Sequence, residues 1–188
     1  MKTIYLVRHC KAEGQAPAAR LTSIGTRQAE ELAEFFTDKQ VDAIIASPYE
    51  RAHSSIKPTA NRLGLTISLE ERLKERVLAE KDLADWLDKL RATYDDLDIC
   101  YEGGESSRTA MNRAVRVVQE ALASQSQSII LVSHGNLLSL LLKHFDSRIG
   151  FKEWSDMSNP DVFELTFSIA DRSTLTDFSP SIKRIWAG

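Results

Sequence analysis

Three short stretches of this chain are apolar at nearly every consecutive position: TIYLV at residues 3–7, VDAIIA at 41–46 and SIILV at 128–132. A strand with one solvated face alternates apolar and polar residues. A run that is apolar at odd and even positions alike therefore belongs to a strand covered on both faces. Between these runs lie longer stretches with helical spacing. Ala29, Leu32, Ala33 and Phe36 follow Thr22, a hydroxyl residue suited to an N-cap, and Met111, Val115, Val118 and Leu122 follow the break at Gly103-Gly104, with Ser106 or Thr109 as a cap. Residues 137–144 form another such stretch, and Leu83, Trp86, Leu87 and Leu90 make a stripe expected to pack inward as core or lid. Ser47-Pro48 reads as a cap and first turn of a helix running to about Leu63, followed by a third strand at 65–69. From Val162 onward, Phe163, Leu165, Phe167 and Ile169, together with Ile182 and Ile185, predict closing strands. This alternation predicts an α/β three-layer sandwich: a mainly parallel central sheet, helices on both faces, and a partly antiparallel C-terminal edge.

The 188 residues suit one domain spanning 1–188, with 77–102 as a helical lid. A net charge of -3 gives no reason to expect nucleic acid or an anionic membrane as partner, so any anion site has to be local. The two cysteines, Cys10 and Cys100, lack CxxC spacing and suggest neither a disulfide framework nor a metal site; a reducing cytoplasm is the expected location. The first apolar run meets Arg8 too soon for a signal peptide, and the region 129–142 is interrupted by Ser133, His134, Gly135 and Asn136, so a soluble protein is expected. No interface signature fixes an oligomeric state.

Polar chemistry stands just beyond each buried strand. Arg8-His9 follows the first, Ser47 and Arg51 the second, and Ser133-His134-Gly135 the third. Open α/β sheets bind ligands outside the carboxyl ends of their strands, where these groups would meet. Guanidinium forks suit phosphoryl oxygens, helix starts after Ser47 and Gly135 would add backbone donors, and a neutral imidazole can serve as nucleophile.

LVRHC, LTSIGTRQA, SPYERA, LKER, GGES and VSHGN, in this order, resemble the histidine phosphatase superfamily, the phosphoglycerate-mutase-like proteins, over about the first three quarters of the chain. The resemblance implies that His9 is the nucleophile that becomes phosphohistidine. It implies that Arg8 and Arg51 hold the phosphoryl group, that His134 contacts the same group, and that Glu75 is the general acid. Gly135 and Gln15 are further substrate-binding candidates. Family members need no metal, so no metal or other cofactor is expected, and the partner is a small phosphorylated substrate. Cys10 stands where the family usually has glycine, Lys11 and Ala12 replace a common Glu and Thr or Ser, and Gln15 replaces an Asn.

The implied activity is a metal-independent phosphomonoesterase. Phosphoglycerate mutase is the alternative, but mutases of this family resemble LNERHYG around the acid, whereas Glu75-Arg76 is followed here by Val77-Leu78-Ala79. A third alternative is a phosphoprotein-binding module with little turnover.

Overall fold

The computed structural model describes residues 1–168 and 179–188; Ile169 lies outside the described residues. Six strands form one sheet in the order β3-β2-β4-β1-β5-β6. They are β1 (Lys2–Arg8), β2 (Ala43–Ala46), β3 (Ile67–Leu69), β4 (Ser128–Ser133), β5 (Asp161–Phe167) and β6 (Ser181–Ala187). The first four run parallel, β5 runs antiparallel to β1, and β6 runs antiparallel to β5. The partly antiparallel edge is thus as the alternation near Val162 predicts.

The pleat explains why the three apolar runs must be apolar throughout. Ile4 and Leu6 of β1, with Ile129 and Leu131 of β4, point into a core shared with α4 (Ser107–Ala123) and α5 (Gly135–Phe145). Tyr5 and Val7, with Ile130 and Val132, point the other way, against α1 (Ser23–Phe35) and α2 (Glu50–Leu63). Each fully buried aliphatic side chain contributes about 1.5–3 kcal/mol, so both faces stabilise the sheet.

Local signals set most helix ends. Thr22 Oγ1 accepts from the Gly25 N–H at 3.0 Å and caps α1, and Ser106 Oγ accepts from the Thr109 N–H at 3.1 Å and caps α4. Gly64, at φ 66°, ends α2 in the left-handed conformation that glycine adopts without a Cβ penalty. Two elements lie outside the sequence expectations: a 3-10 turn at Glu71–Leu73 and the short α6 (Phe151–Ser155).

Two expectations are corrected. Ser47 is no helix cap: α2 starts at Glu50 with Tyr49 in the cap position and no side-chain cap bond, and the Ser47 hydroxyl turns toward His134 instead. The stripe of Leu83, Trp86, Leu87 and Leu90 is not a buried face. The helix there, α3, covers only Trp86–Asp95; Trp86 and Leu87 are 50% and 42% exposed, and its buried residues are Leu90, Thr93 and Tyr94. Neighbouring α6 covers the stripe only in part, where Trp154 packs edge-on to Trp86 with ring centroids 6.4 Å apart. Among the described residues, no helix is long and apolar enough to cross a membrane.

Candidate active site

The parallel register brings the three strand ends level. Arg8 pairs with Ser133 across β1 and β4, and Ala46 pairs with Val132 across β2 and β4. His9, Ser47 and His134 each follow directly, so one sheet edge carries all three. Asp161, the first residue of antiparallel β5, is level with Arg8 and delivers the loop before it to the same edge.

His9 is 6% exposed. Its Nδ1 lies 2.7 Å from the Cys10 carbonyl oxygen, which can only accept, so Nδ1 carries the ring proton. Nε2 accepts from Arg51 Nε–H at 3.2 Å. Burial is the main cause that pushes its pKa down to about 3; the Cys10 bond acts in the opposite sense, and the charges of Arg51 and Arg8 add to the lowering. The ring is a neutral imidazole with its basic nitrogen turned toward a cation. Asn159 Nδ2 donates to the His9 carbonyl at 2.7 Å and fixes the backbone beneath it.

Arg51, only 1% exposed, also donates from Nη1 to the carbonyls of Gln15 and Ala16 at 3.1 and 2.9 Å, and its guanidinium stands 5.0 Å from the Tyr49 ring centre. Gln15 therefore meets the site through its backbone, while its side chain lies on an exposed loop position. Arg8 donates from Nη1 to the Met157 carbonyl at 2.8 Å. Gly135 makes room for it: a Cβ there would lie 2.9 Å from Arg8 Cζ. Burial lowers the pKa of both arginines, partly offset by the nearby Glu75 carboxylate.

His134 is fully buried, 5.2 Å from His9 between ring centres, and burial is the first cause holding its pKa well below the ordinary value. Its Nε2 lies 2.8 Å from Ser47 Oγ. That hydroxyl also accepts from the Tyr49 N–H at 3.3 Å; when it donates its own proton to Nε2, the ring proton of His134 stands on Nδ1. Buried polar atoms are nearly always hydrogen-bonded, yet His134 Nδ1 and Arg8 Nε have no partner. Arg8 Nε is a donor, His134 Nδ1 is one when Ser47 donates to Nε2, and both belong to residues flanking His9.

Glu75 reaches the same edge from the loop after the 3-10 turn. Its Oε1 accepts from the N–H groups of Arg76 and Leu137 at 2.8 and 2.9 Å, and Oε2 from Asn136 at 3.0 Å. The carboxylate sits on the positive end of the α5 dipole. This corrects the expectation that the donors after Gly135 stand free for an anion: Glu75 takes them. The structure thus brings together His9, Arg8, Arg51, His134, Gly135 and Glu75.

Sequence reasoning missed Ser47 as a partner of His134, and it missed Tyr94, Ser139 and Asn159. Tyr94 Oη accepts from Asn136 Nδ2 at 2.8 Å and lies 2.5 Å from Ser139 Oγ, so α3 is tied to the first turns of α5. The only sequence signal for Tyr94 was its place one turn beyond Leu90. Cys10 is fully buried, and burial pushes its pKa up to about 11, which makes it an unreactive thiol. Among the described residues, no cluster of three or more His, Cys, Asp or Glu side chains is placed to hold a metal ion.

Comparison with known proteins gives this geometry a context. A glucosyl-3-phosphoglycerate phosphatase of Mycolicibacterium vanbaalenii is 26% identical over 164 residues, covering 75% of this chain and 72% of that one. Phosphoserine phosphatase 1 of Hydrogenobacter thermophilus is 25% identical over 151 residues, covering 71% of each. The solved structure of a mycobacterial glucosyl-3-phosphoglycerate phosphatase shares the fold with a TM-score of 0.79 at 22% identity, covering 97% of both chains. The model of the histidine phosphatase superfamily (branch 1) matches residues 4–173, and the chain belongs to that family.

Proposed function

We propose that this protein is a metal-independent phosphomonoesterase that works in two steps through a phosphohistidine on His9. The observation that carries the reading is the pair of buried nitrogens without a partner, Arg8 Nε and His134 Nδ1, flanking a buried neutral imidazole. The Arg8 Nε–H, and His134 Nδ1 in its protonated tautomer, suit the equatorial oxygens of a phosphoryl group. The phosphatase relatives support hydrolysis of a phosphate ester.

In the first step a phosphoryl oxygen takes over the Arg51 Nε–H bond and frees the lone pair of His9 Nε2. Nε2 attacks phosphorus in line, the phosphorus–oxygen bond to the leaving alcohol breaks, and Glu75 gives its proton to the departing oxygen. Oε1 already accepts two N–H bonds and Oε2 only one, so Oε2 is the oxygen with room for that proton. The Nδ1–H bond to Cys10 stabilises the positive charge that develops on the ring. In the second step Glu75 takes a proton from water, the water oxygen attacks phosphorus, and the nitrogen–phosphorus bond breaks to restore His9.

The named relatives act on phosphoserine and on glucosyl-3-phosphoglycerate, both small phosphomonoesters that carry a carboxylate. These are the first substrates to try. The test is to incubate wild type and His9→Ala with labelled phosphomonoester, quench in alkali, and measure released phosphate in the same tubes. Alkali-stable, acid-labile label mapped to His9, with phosphate release lost in the variant, is the expected result. Full phosphate release by His9→Ala would overturn the mechanism, and tight binding of a phosphopeptide without turnover of any phosphoester would replace it with a binding role.

A further inference from the structure

Glu75 stands on irregular chain between the Glu71–Leu73 turn and α3. A loop is a poor platform from which to aim a proton, because a site on a loop is less sharply positioned than one on a helix or strand. The backbone on both sides of Glu75 is nevertheless held from one direction. Arg113 of α4 donates from Nη1 to the carbonyls of Arg72 and Lys74 at 2.5 and 2.9 Å. The same guanidinium makes a two-bond fork with Glu105, Nε to Oε1 at 2.8 Å and Nη2 to Oε2 at 2.9 Å.

Glu105 then closes on the far side of Glu75. Its carbonyl accepts from Arg76 Nε at 2.8 Å, and its N–H donates to the Val77 carbonyl at 2.8 Å. Gly104 permits that approach: a Cβ there would lie 2.2 Å from the Leu78 carbonyl oxygen. Residues 72 and 74 are thus fixed by the Arg113 side chain and residues 76 and 77 by the Glu105 backbone, the two holds joined by one ion pair, while the bonds to the Glu75 carboxylate itself come from backbone N–H groups of residues 76, 136 and 137. Both partners of the pair are about one-fifth exposed, at 20% and 21%. Partly hydrated pairs contribute little to stability, but a forked guanidinium whose Nη1 is also engaged fixes geometry. This gives the GGES stretch a use beyond its turn.

We infer that Glu105 and Arg113 form a clamp that aims the Glu75 carboxyl at the leaving-group oxygen, making both of them positioning residues for the protonation step. The inference rests on the acid role proposed for Glu75 and goes beyond it by naming what sets that aim. The clamp exchanges no proton: the proton passes from Glu75 to the leaving oxygen as the phosphorus–oxygen bond breaks.

The experiment compares kcat/KM, which reports phosphoryl transfer to His9 and not the later hydrolysis, for p-nitrophenyl, phenyl and benzyl phosphate with wild type, Arg113→Lys, Arg113→Met, Glu105→Gln, Glu75→Gln and the Glu75→Gln/Arg113→Lys double variant. Nitrophenolate leaves without help, whereas benzyl alkoxide needs the proton. General acids supply roughly 10²–10⁴-fold, and a misplacement of about 1 Å can cost about 10²-fold. The clamp variants are therefore expected to lose about 10- to 100-fold on benzyl phosphate and under about 3-fold on p-nitrophenyl phosphate. Arg113→Lys should add almost nothing to the Glu75→Gln defect. Equal losses on all three substrates, no loss on any, or a full additional loss in the double variant would overturn the clamp. If Glu75→Gln is selective and the clamp variants are not, the clamp alone falls; if Glu75→Gln is itself unselective, the acid role falls and takes the clamp with it. Should Arg113→Met fail to fold by circular dichroism, Arg113→Lys and Glu105→Gln carry the test.

Discussion

Holding His9 neutral makes the folded state sensitive to acid in a definite window. Burial, reinforced by Arg51 and Arg8, lowers its pKa from 6.5 to about 3. Between those values the unfolded chain binds a proton that the folded chain does not. Stability is therefore undiminished above pH 6.5 and is lost as pH falls, until the loss levels off below about pH 3. Each pH unit inside the window corresponds to about 1.4 kcal/mol, so at pH 5 His9 alone costs about 2 kcal/mol relative to pH 7. His9→Gln removes the titrating group and keeps a polar side chain in its place. The assay is urea denaturation of wild type and variant at pH 7 and pH 5, in phosphate-free buffer because an oxyanion would favour the charged ring. His134 and the carboxylates titrate in both proteins and cancel in the comparison. Wild type should lose about 2 kcal/mol more than His9→Gln on going from pH 7 to pH 5. Parallel losses, equal to within about 0.5 kcal/mol, would refute the reasoning, because they would mean that folding leaves the His9 proton affinity unchanged.

Three other substitutions or treatments probe the site. Gly135→Ala should displace the Arg8 guanidinium, since the new Cβ would stand 2.9 Å from Cζ; kcat/KM should drop at least about 10-fold with a stability loss of about 1–3 kcal/mol, and a variant with wild-type kinetics would show that Arg8 yields freely. Tyr94→Phe leaves the buried Asn136 amide without its Tyr94 partner, while the Ser139 hydroxyl keeps its bond to the Asn136 carbonyl, so a thermal melt should register a loss of about 1–3 kcal/mol; an unchanged Tm would mean that the amide finds another partner. Dialysis against EDTA should leave phosphate release intact, because Arg8 and Arg51 supply the positive charge; activity restored only by an added divalent cation would contradict this.

The sheet was legible because its signal is local. Runs such as SIILV at residues 128–132 are apolar on both faces, and that can be read without knowing any partner. His9 and His134 could be placed on one edge for the same reason, since parallel strands bring their carboxyl ends together whatever their order. The α3 stripe misled because helical periodicity reveals an apolar face but not whether a neighbour covers it; Trp86 remains half-exposed. Ser47 misled because Ser-Pro is a good local helix start, and a hydrogen bond to a residue 87 positions away outweighed it.

By itself, then, the sequence determined the strands, the doubly covered sheet and which polar residues stand at the strand ends, all from patterns a few residues long. Tertiary structure alone decided how those residues are held. Asn159 bonds the His9 carbonyl across 150 positions, Glu75 docks on the first turn of α5 across 61 and 62, and Arg113 grips the acid loop across 39 and 41. Such bonds depend on distances of about 3 Å between atoms that only the packed chain brings together, and no spacing along the sequence encodes them.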